Sequence, residues 1–175
     1  KDGSRRAGRP TSLREEIFDP ALYRDAMSRY AGHVQIVTTA LGEARRGVTI
    51  TAACSVSDNP ASVLVCLNGS NPNNEIFFSS GVFALNSLHA DQQVLADAFA
   101  GRPAMDSEAR FALAEWQVMA TGAPVLSDAA VAFDCRVTEM KRMSTHAVLF
   151  GQVEAIHFGP RKPSLIYLDR GYRAL

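Results

Sequence analysis

Between Val131 and Thr138 the chain alternates strictly: Val131, Phe133, Cys135 and Val137 point one way, and Asp134, Arg136 and Thr138 the other. A period of two belongs to an extended strand with one face on a core and the other in water, and such a strand needs neighbours for its backbone hydrogen bonds. Candidate neighbours recur along the chain. Residues 34–39, 48–54, 62–67, 82–86, 146–158 and 164–168 are all β-rich and mostly bounded by turn formers. The almost wholly apolar run 62–67 predicts a strand covered on both faces. Strands that follow one another through short links pair antiparallel, and curling such a sheet towards closure removes its exposed edges. The pattern predicts a mainly β fold with peripheral helices, a barrel rather than a doubly wound sheet.

The helices are few and announce their starts. Asp19 followed by Pro20 reads as a cap with proline in the first turn, and Leu22, Ala26, Met27 and Tyr30 then recur at helical spacing. Asn71-Pro72 repeats the device for a short helix carrying Ile76 and Phe77 inward. Asp91 is expected to cap a helix through Phe99 with Val94, Leu95, Ala98 and Phe99 on one stripe, ended by Gly101 and Pro103. Residues 42–47 and 58–60 read as turns. A length of 175 residues supports one sizeable core, so the predicted division is a flexible arm at 1–16 and a single domain at 17–175.

Composition narrows the function classes. Lys plus Arg and Asp plus Glu both number 18, so no net field favours nucleic acid or an anionic membrane. Apolar residues make up 47% of the chain, yet no unbroken run approaches the roughly 18 that span a bilayer. Residues 1–16 are charged and lack the apolar stretch of a secretory signal. Cys54, Cys66 and Cys135 are odd in number and scattered, which predicts buried thiols in a reducing, cytoplasmic compartment. His33, His89, His146 and His157 never approach zinc-ligand spacing, so no metal site is predicted.

Nucleotide and hydrolytic motifs are missing. No two glycines stand two apart, which removes the G-x-G-x-x-G turn, and Gly42 to Gly47 has P-loop spacing but is followed by Val48 and Thr49 instead of Lys and Ser/Thr. There is no nucleophile elbow, and no carboxylate pair is marked by local spacing. Catalysis, if the chain performs any, is expected to borrow a cofactor.

Thr49-Ile-Thr-Ala-Ala-Cys-Ser-Val-Ser57 puts small, hydroxylated residues where a packed strand would use bulk. Small side chains let a planar ligand reach the backbone, whose N–H groups can donate to a heterocycle; the same composition also suits an edge strand. Ser70-Asn-Pro-Asn-Asn74 offers donors for a phosphate, or simply a helix cap. His146 suits nicotinamide binding or proton control, or a structural strand histidine. Tyr172 and Arg173 offer a stacking plane and a cation, or a tail that only packs.

Several segments in order resemble the flavin reductase family with its FMN-binding split barrel: Tyr23-Arg-Asp-Ala-Met-Ser-Arg29, His33-Val-Gln-Ile-Val-Thr-Thr39, Thr51-Ala-Ala-Cys-Ser-Val-Ser57 with Pro60, Leu64-Val-Cys-Leu-Asn68, Phe83-Ala-Leu-Asn86 and Ser144-Thr-His146. The resemblance implies an antiparallel six-stranded split β-barrel that forms a homodimer and reduces FMN or FAD with NADH or NADPH, supplying reduced flavin to a partner monooxygenase. It implies flavin contacts from Thr49, Thr51, Ala52, Ala53, Cys54 and Ser55, and ribityl or phosphate contacts from Asn68, Ser70 and Asn74, with Asn86 and Ser87 beside them. His146 matches the histidine of the family's Gly-Asp-His motif, implicated in nicotinamide binding and hydride transfer, although Ser144 and Thr145 replace Gly-Asp. Tyr172 and Arg173 are the further nicotinamide candidates. Two other readings share the fold: a flavoprotein that keeps its flavin and reduces an acceptor such as a cobalt corrinoid, and a non-enzymatic flavin- or haem-binding barrel.

Overall fold

The structure, a computed structural model, describes residues 18–175, so the expected arm lies outside the described residues. The chain runs α1 (Pro20–Ser28), β1 (Gly32–His33), β2 (Gln35–Leu41), β3 (Ala44–Ile50), β4 (Ala53–Asp58), β5 (Ala61–Asn68), α2 (Glu75–Ser80), β6 (Val82–Ser87), α3 (Gln93–Phe99), α4 (Ser107–Phe111), β7 (Trp116–Val118), β8 (Pro124–Leu126), β9 (Val131–Arg142), β10 (His146–Phe158), β11 (Leu165–Leu168) and β12 (Gly171–Ala174). Seven strands form one antiparallel sheet in the order β3-β2-β6-β9-β10-β5-β4, and β1, β11 and β12 form a small second sheet.

The two edge strands of the large sheet, β3 and β4, are consecutive in the chain and joined only by Thr51 and Ala52. A flat sheet of seven strands would hold its edges about 29 Å apart, at roughly 4.8 Å per strand. Three Cα steps from Ile50 to Ala53 reach at most about 11 Å. The sheet must therefore curl until its edges come within that reach at the break, without pairing, which makes it the mainly β, antiparallel split barrel implied by the resemblance. It is open, with seven hydrogen-bonded strands instead of six: the expected strand at 48–54 breaks at Thr51–Ala52, and its two halves belong to the opposite edges, β3 beside β2 and β4 beside β5.

Alternation decides which core each side chain enters. Val37, Phe83, Leu85, Cys135, Val65, Leu67 and Leu149 fill the barrel interior with Phe77 of α2. Ile36, Val82 and Ala84, one step out of phase, join Leu95, Phe99, Phe111, Val125 and Leu165 in a second cluster between the sheet and α3, α4 and β8. Strand β6 is consequently buried along its whole length. Gly151 on β10 is small for a reason: a Cβ there would lie 2.5 Å from the Phe83 ring.

Several expectations change. The turn at 42–47 contracts to Gly42–Glu43, and Gly47 lies inside β3 with the Phe99 ring where a side chain would stand. Asp91 does not cap the third helix; a 3₁₀ turn at Ala90–Gln92 precedes it, and the delayed start turns Ala96 inward and leaves Val94 76% exposed. Strand β5 buries Val63, Val65 and Leu67, while Ser62, Leu64 and Cys66 on its other face are only partly covered. Asp134, expected in water, is buried and accepts hydrogen bonds from the Ala120 and Thr121 N–H groups (2.7 and 2.9 Å) and from the Thr121 hydroxyl. Of the thiols only Cys135 is buried, and that burial pushes it up to about 12; Cys66 is intermediate and Cys54 exposed. The helix after Pro20 is as expected, with the Asp19 carboxylate accepting from Ala21 N–H at 2.9 Å, but its Leu22, Tyr23 and Met27 are uncovered.

Candidate functional site

The break between β3 and β4 opens two adjoining cavities that share Thr51 and Tyr167. One, of about 310 Å³, lies between α1 and the break and is lined by Met27, Tyr30, Gly32, Ala52 and Arg170. The other, of about 180 Å³, is lined by Val34, Thr49, Ile50, Arg102 and Tyr172. The break is held on both sides: Ala53 N–H donates to Thr51 O at 3.0 Å and Cys66 N–H to Ala52 O at 2.9 Å. Gly32 makes room for it, since a Cβ there would stand 3.0 Å from Thr51 Cβ. Because β4 is an edge strand, alternate backbone donors and acceptors just past the break face outward without ladder partners.

The aromatic wall is fixed from α3. The Tyr172 hydroxyl donates to Asp97 Oδ1 at 2.8 Å, Arg102 donates to the same oxygen at 3.1 Å, and the Tyr172 ring meets Tyr167 edge-on with centroids 5.7 Å apart. Burial, reinforced by the hydrogen bond to Asp97, holds the Tyr172 phenol above the usual tyrosine range, so it remains a donor at neutral pH. Thr49 is tied down by its own hydroxyl, which donates to Ala96 O at 2.7 Å.

A second group gathers where β5 ends beside β10. Asn68 stands opposite His146 in the ladder, its Oδ1 accepts from Ser70 N–H at 2.8 Å, and its carbonyl accepts from Asn74 Nδ2 at 3.0 Å. His146 is exposed, with Nδ1 2.9 Å from the Thr145 hydroxyl, so the threonine standing where the family motif has Asp supplies a polar partner for the ring.

The structure thus brings Thr49, Thr51, Ala52 and Tyr172 around the cavities, runs Ala53, Cys54 and Ser55 along the adjoining edge, and groups Asn68, Ser70, Asn74 and His146 at the β5 end. It sets Asn86 and Ser87 apart. The Asn86 amide donates to Ile36 O at 2.8 Å, its Oδ1 accepts from Leu126 N–H at 2.9 Å, and Ser87 is bonded to Gln35 at 2.7 Å, all inside the sheet. Arg173 is exposed and donates to Tyr172 O at 3.1 Å. Gly32, Arg102 and Tyr167 were not singled out from the sequence; the one available signal for Tyr167 was its place in a predicted strand just before Tyr172.

Known proteins resemble this chain in sequence or in structure. The model of the flavin reductase like domain matches residues 27–175. The FMN reductase (NADH) RutF of Klebsiella pneumoniae subsp. pneumoniae is 42% identical over 160 residues, covering 91% of this chain and 96% of its own. RutF of Variovorax paradoxus is 44% identical over 159 residues, covering 91% of this chain and 87% of its own. Among solved structures, a flavin reductase homologue from Haemophilus somnus superposes with a TM-score of 0.86 at 37% identity, covering 90% of this chain and 100% of its own. BorF, the flavin reductase component of a bacterial two-component tryptophan halogenase, superposes with a TM-score of 0.82 at 27% identity, covering 90% and 98%.

Proposed function

Because the chain belongs to the flavin reductase like domain family, we propose that it reduces FMN with NADH at the strand break, and passes the reduced flavin to a partner oxygenase. The observation that carries this reading is the pair of adjoining cavities, floored by the small residues Thr51 and Ala52 and walled by Tyr167 and Tyr172. A planar ring can lie against such a floor and receive hydrogen bonds from the unpaired edge of β4. FMN and NADH are preferred over FAD and NADPH because the RutF relatives carry those names, and a separate partner enzyme is supported by the two-component role named for BorF, whose partner is a halogenase.

Hydride passes from the nicotinamide C4 to the flavin N5, and that chemistry belongs to the two bound ligands. The chain supplies position. Thr51, Ala52 and the backbone of residues 53–55 hold the ring, Asn68, Ser70 and Asn74 hold its ribityl side, and Tyr172, kept protonated against Asp97, walls the space for the nicotinamide. His146, oriented by Thr145, is assigned to nicotinamide positioning. His146→Ala should slow anaerobic bleaching of FMN by NADH by on the order of tenfold to a hundredfold while shifting FMN affinity far less. Equal bleaching rates in variant and wild type would remove the histidine from the reaction, and a wild type that never bleaches FMN with NADH would remove the reading itself.

The assembly proposed is a homodimer. Cys54, Leu64, Cys66, Val148 and Phe150 lie side by side on the outer face of β4, β5 and β10 without a full cover, and the apolar residues of α1 are uncovered as well. A second copy would bury both surfaces; a monomeric mass in sedimentation at micromolar concentration would contradict it. No helix among the described residues is long and apolar enough to cross a membrane. The unpaired cysteines suit a reducing cytoplasm, a location that recovery in a periplasmic fraction would contradict.

A further inference from the structure

Two of the three thiols lie together. Cys54 on β4 stands opposite Leu64 on β5, so Cys66, two residues further along β5, is on the same face of the sheet and diagonally adjacent to it. Cys54 is exposed and Cys66 half-covered, while Cys135 is buried in the barrel interior. Burial first, and then the neighbouring Cys54, pushes the Cys66 thiol up, because two thiolates side by side repel. The strand that carries Cys54 has room to move. It is bonded to β5 on one side only, starts at the break after Thr51–Ala52, and has a register shift between Ser55 and Ser57, so Cys54 sits on a short run of ladder between two irregularities. Diagonal neighbours on one face stand about 7–8 Å apart and a disulfide needs Cα atoms within about 6.8 Å, so a bridge requires the edge strand to shift by on the order of an ångström.

We propose that Cys54 and Cys66 are a peroxide-responsive thiol pair whose disulfide displaces β4 and slows flavin reduction at the strand break. The proposal rests on the flavin-reducing reading above, because that reaction supplies the oxidant. Reduced flavin that meets dioxygen instead of a partner enzyme gives it two electrons and two protons, leaving oxidised flavin and hydrogen peroxide. The Cys54 thiolate, the exposed one, attacks a peroxide oxygen; the O–O bond breaks, a sulfenic acid forms and water leaves. The Cys66 sulfur then attacks the Cys54 sulfur, the S–O bond breaks, and the second water leaves with the Cys66 proton. Two thiols and one peroxide thus give one disulfide and two waters. Ala52, two residues before Cys54, lines the larger cavity, so drawing Cys54 towards β5 moves the surface assigned to the flavin ring.

The test uses the full chain with its thiols reduced. A modest excess of hydrogen peroxide should remove two of the three free thiols and lower the chain mass by two hydrogens, and cleavage at Asp58, which lies between the two cysteines, should leave their peptides joined. NADH-dependent FMN reduction should fall by about tenfold and return with dithiothreitol. Cys66→Ser should keep the untreated rate and lose the reversible inhibition. Thiols that survive both peroxide and iodoacetamide are closed off by the neighbouring copy of the proposed dimer, and the inference falls. A disulfide between copies, a bridge that leaves the rate unchanged, or the same reversible inhibition in Cys66→Ser also overturns it. If the reduced wild type never bleaches FMN with NADH, the reductase reading fails and any bridge made by added peroxide controls nothing; if it bleaches FMN and the pair stays reduced, only this inference fails.

Discussion

Ala52→Trp is expected to cut NADH-dependent FMN reduction by at least about a hundredfold, equivalent to roughly 2.7 kcal/mol of lost binding or orientation. Ala52 is exposed and lines the larger cavity, while its structural duty is carried by a backbone carbonyl that accepts from Cys66. An indole at this position fills the floor without disturbing the ladder, so substrate access is lost and the fold is kept. Thermal unfolding of the variant should stay within a few degrees of the wild type. Val94→Trp, at an exposed position of α3 that lines neither cavity, is the control and should retain full turnover. A fully active Ala52→Trp protein with normal kcat/KM would place the flavin elsewhere.

Asp134→Ala is expected to destabilise the fold by about 3 kcal/mol, because one buried carboxylate accepts from two backbone N–H groups and a hydroxyl of the segment leading into β8. Set against the roughly 5–15 kcal/mol that stabilises a typical domain, the loss is large. Ala120 is exposed and Thr121 partly so, hence water can replace some of the bonds and the full sum of three charge-assisted bonds does not apply. Asp134→Asn keeps one acceptor oxygen and should fall between alanine and wild type. Urea denaturation checks both, and an unchanged midpoint for Asp134→Ala would show that the segment is held by packing alone.

The same residue shows where local patterning stops. The alternation at 131–138 located β9 and its pairing habit, yet its polar phase suggested solvent, and Asp134 is covered by a segment some thirteen residues earlier in the chain that offers the donors. The C-terminal hairpin was hidden for a different reason. Its turn uses Asp169 and Arg170 at φ of 51° and 58°, a conformation usually signalled by Gly or Asn, so β12 carried no local mark and the role of Tyr167 went unread. The thiol pair was equally silent, because the register of β4 against β5, irregularity included, decides whether Cys54 and Cys66 share a face.

What the sequence determined by itself was the period-two strands, the capped helix starts and a run of small hydroxylated residues, each of which depends on neighbours within a few positions. Only the tertiary structure decided that this run breaks at Thr51–Ala52, since the break exists to join two sheet edges that the rest of the fold brings together. The cavities and the aromatic wall follow from that closure, because their distances are set by strand order and curl and by no local pattern.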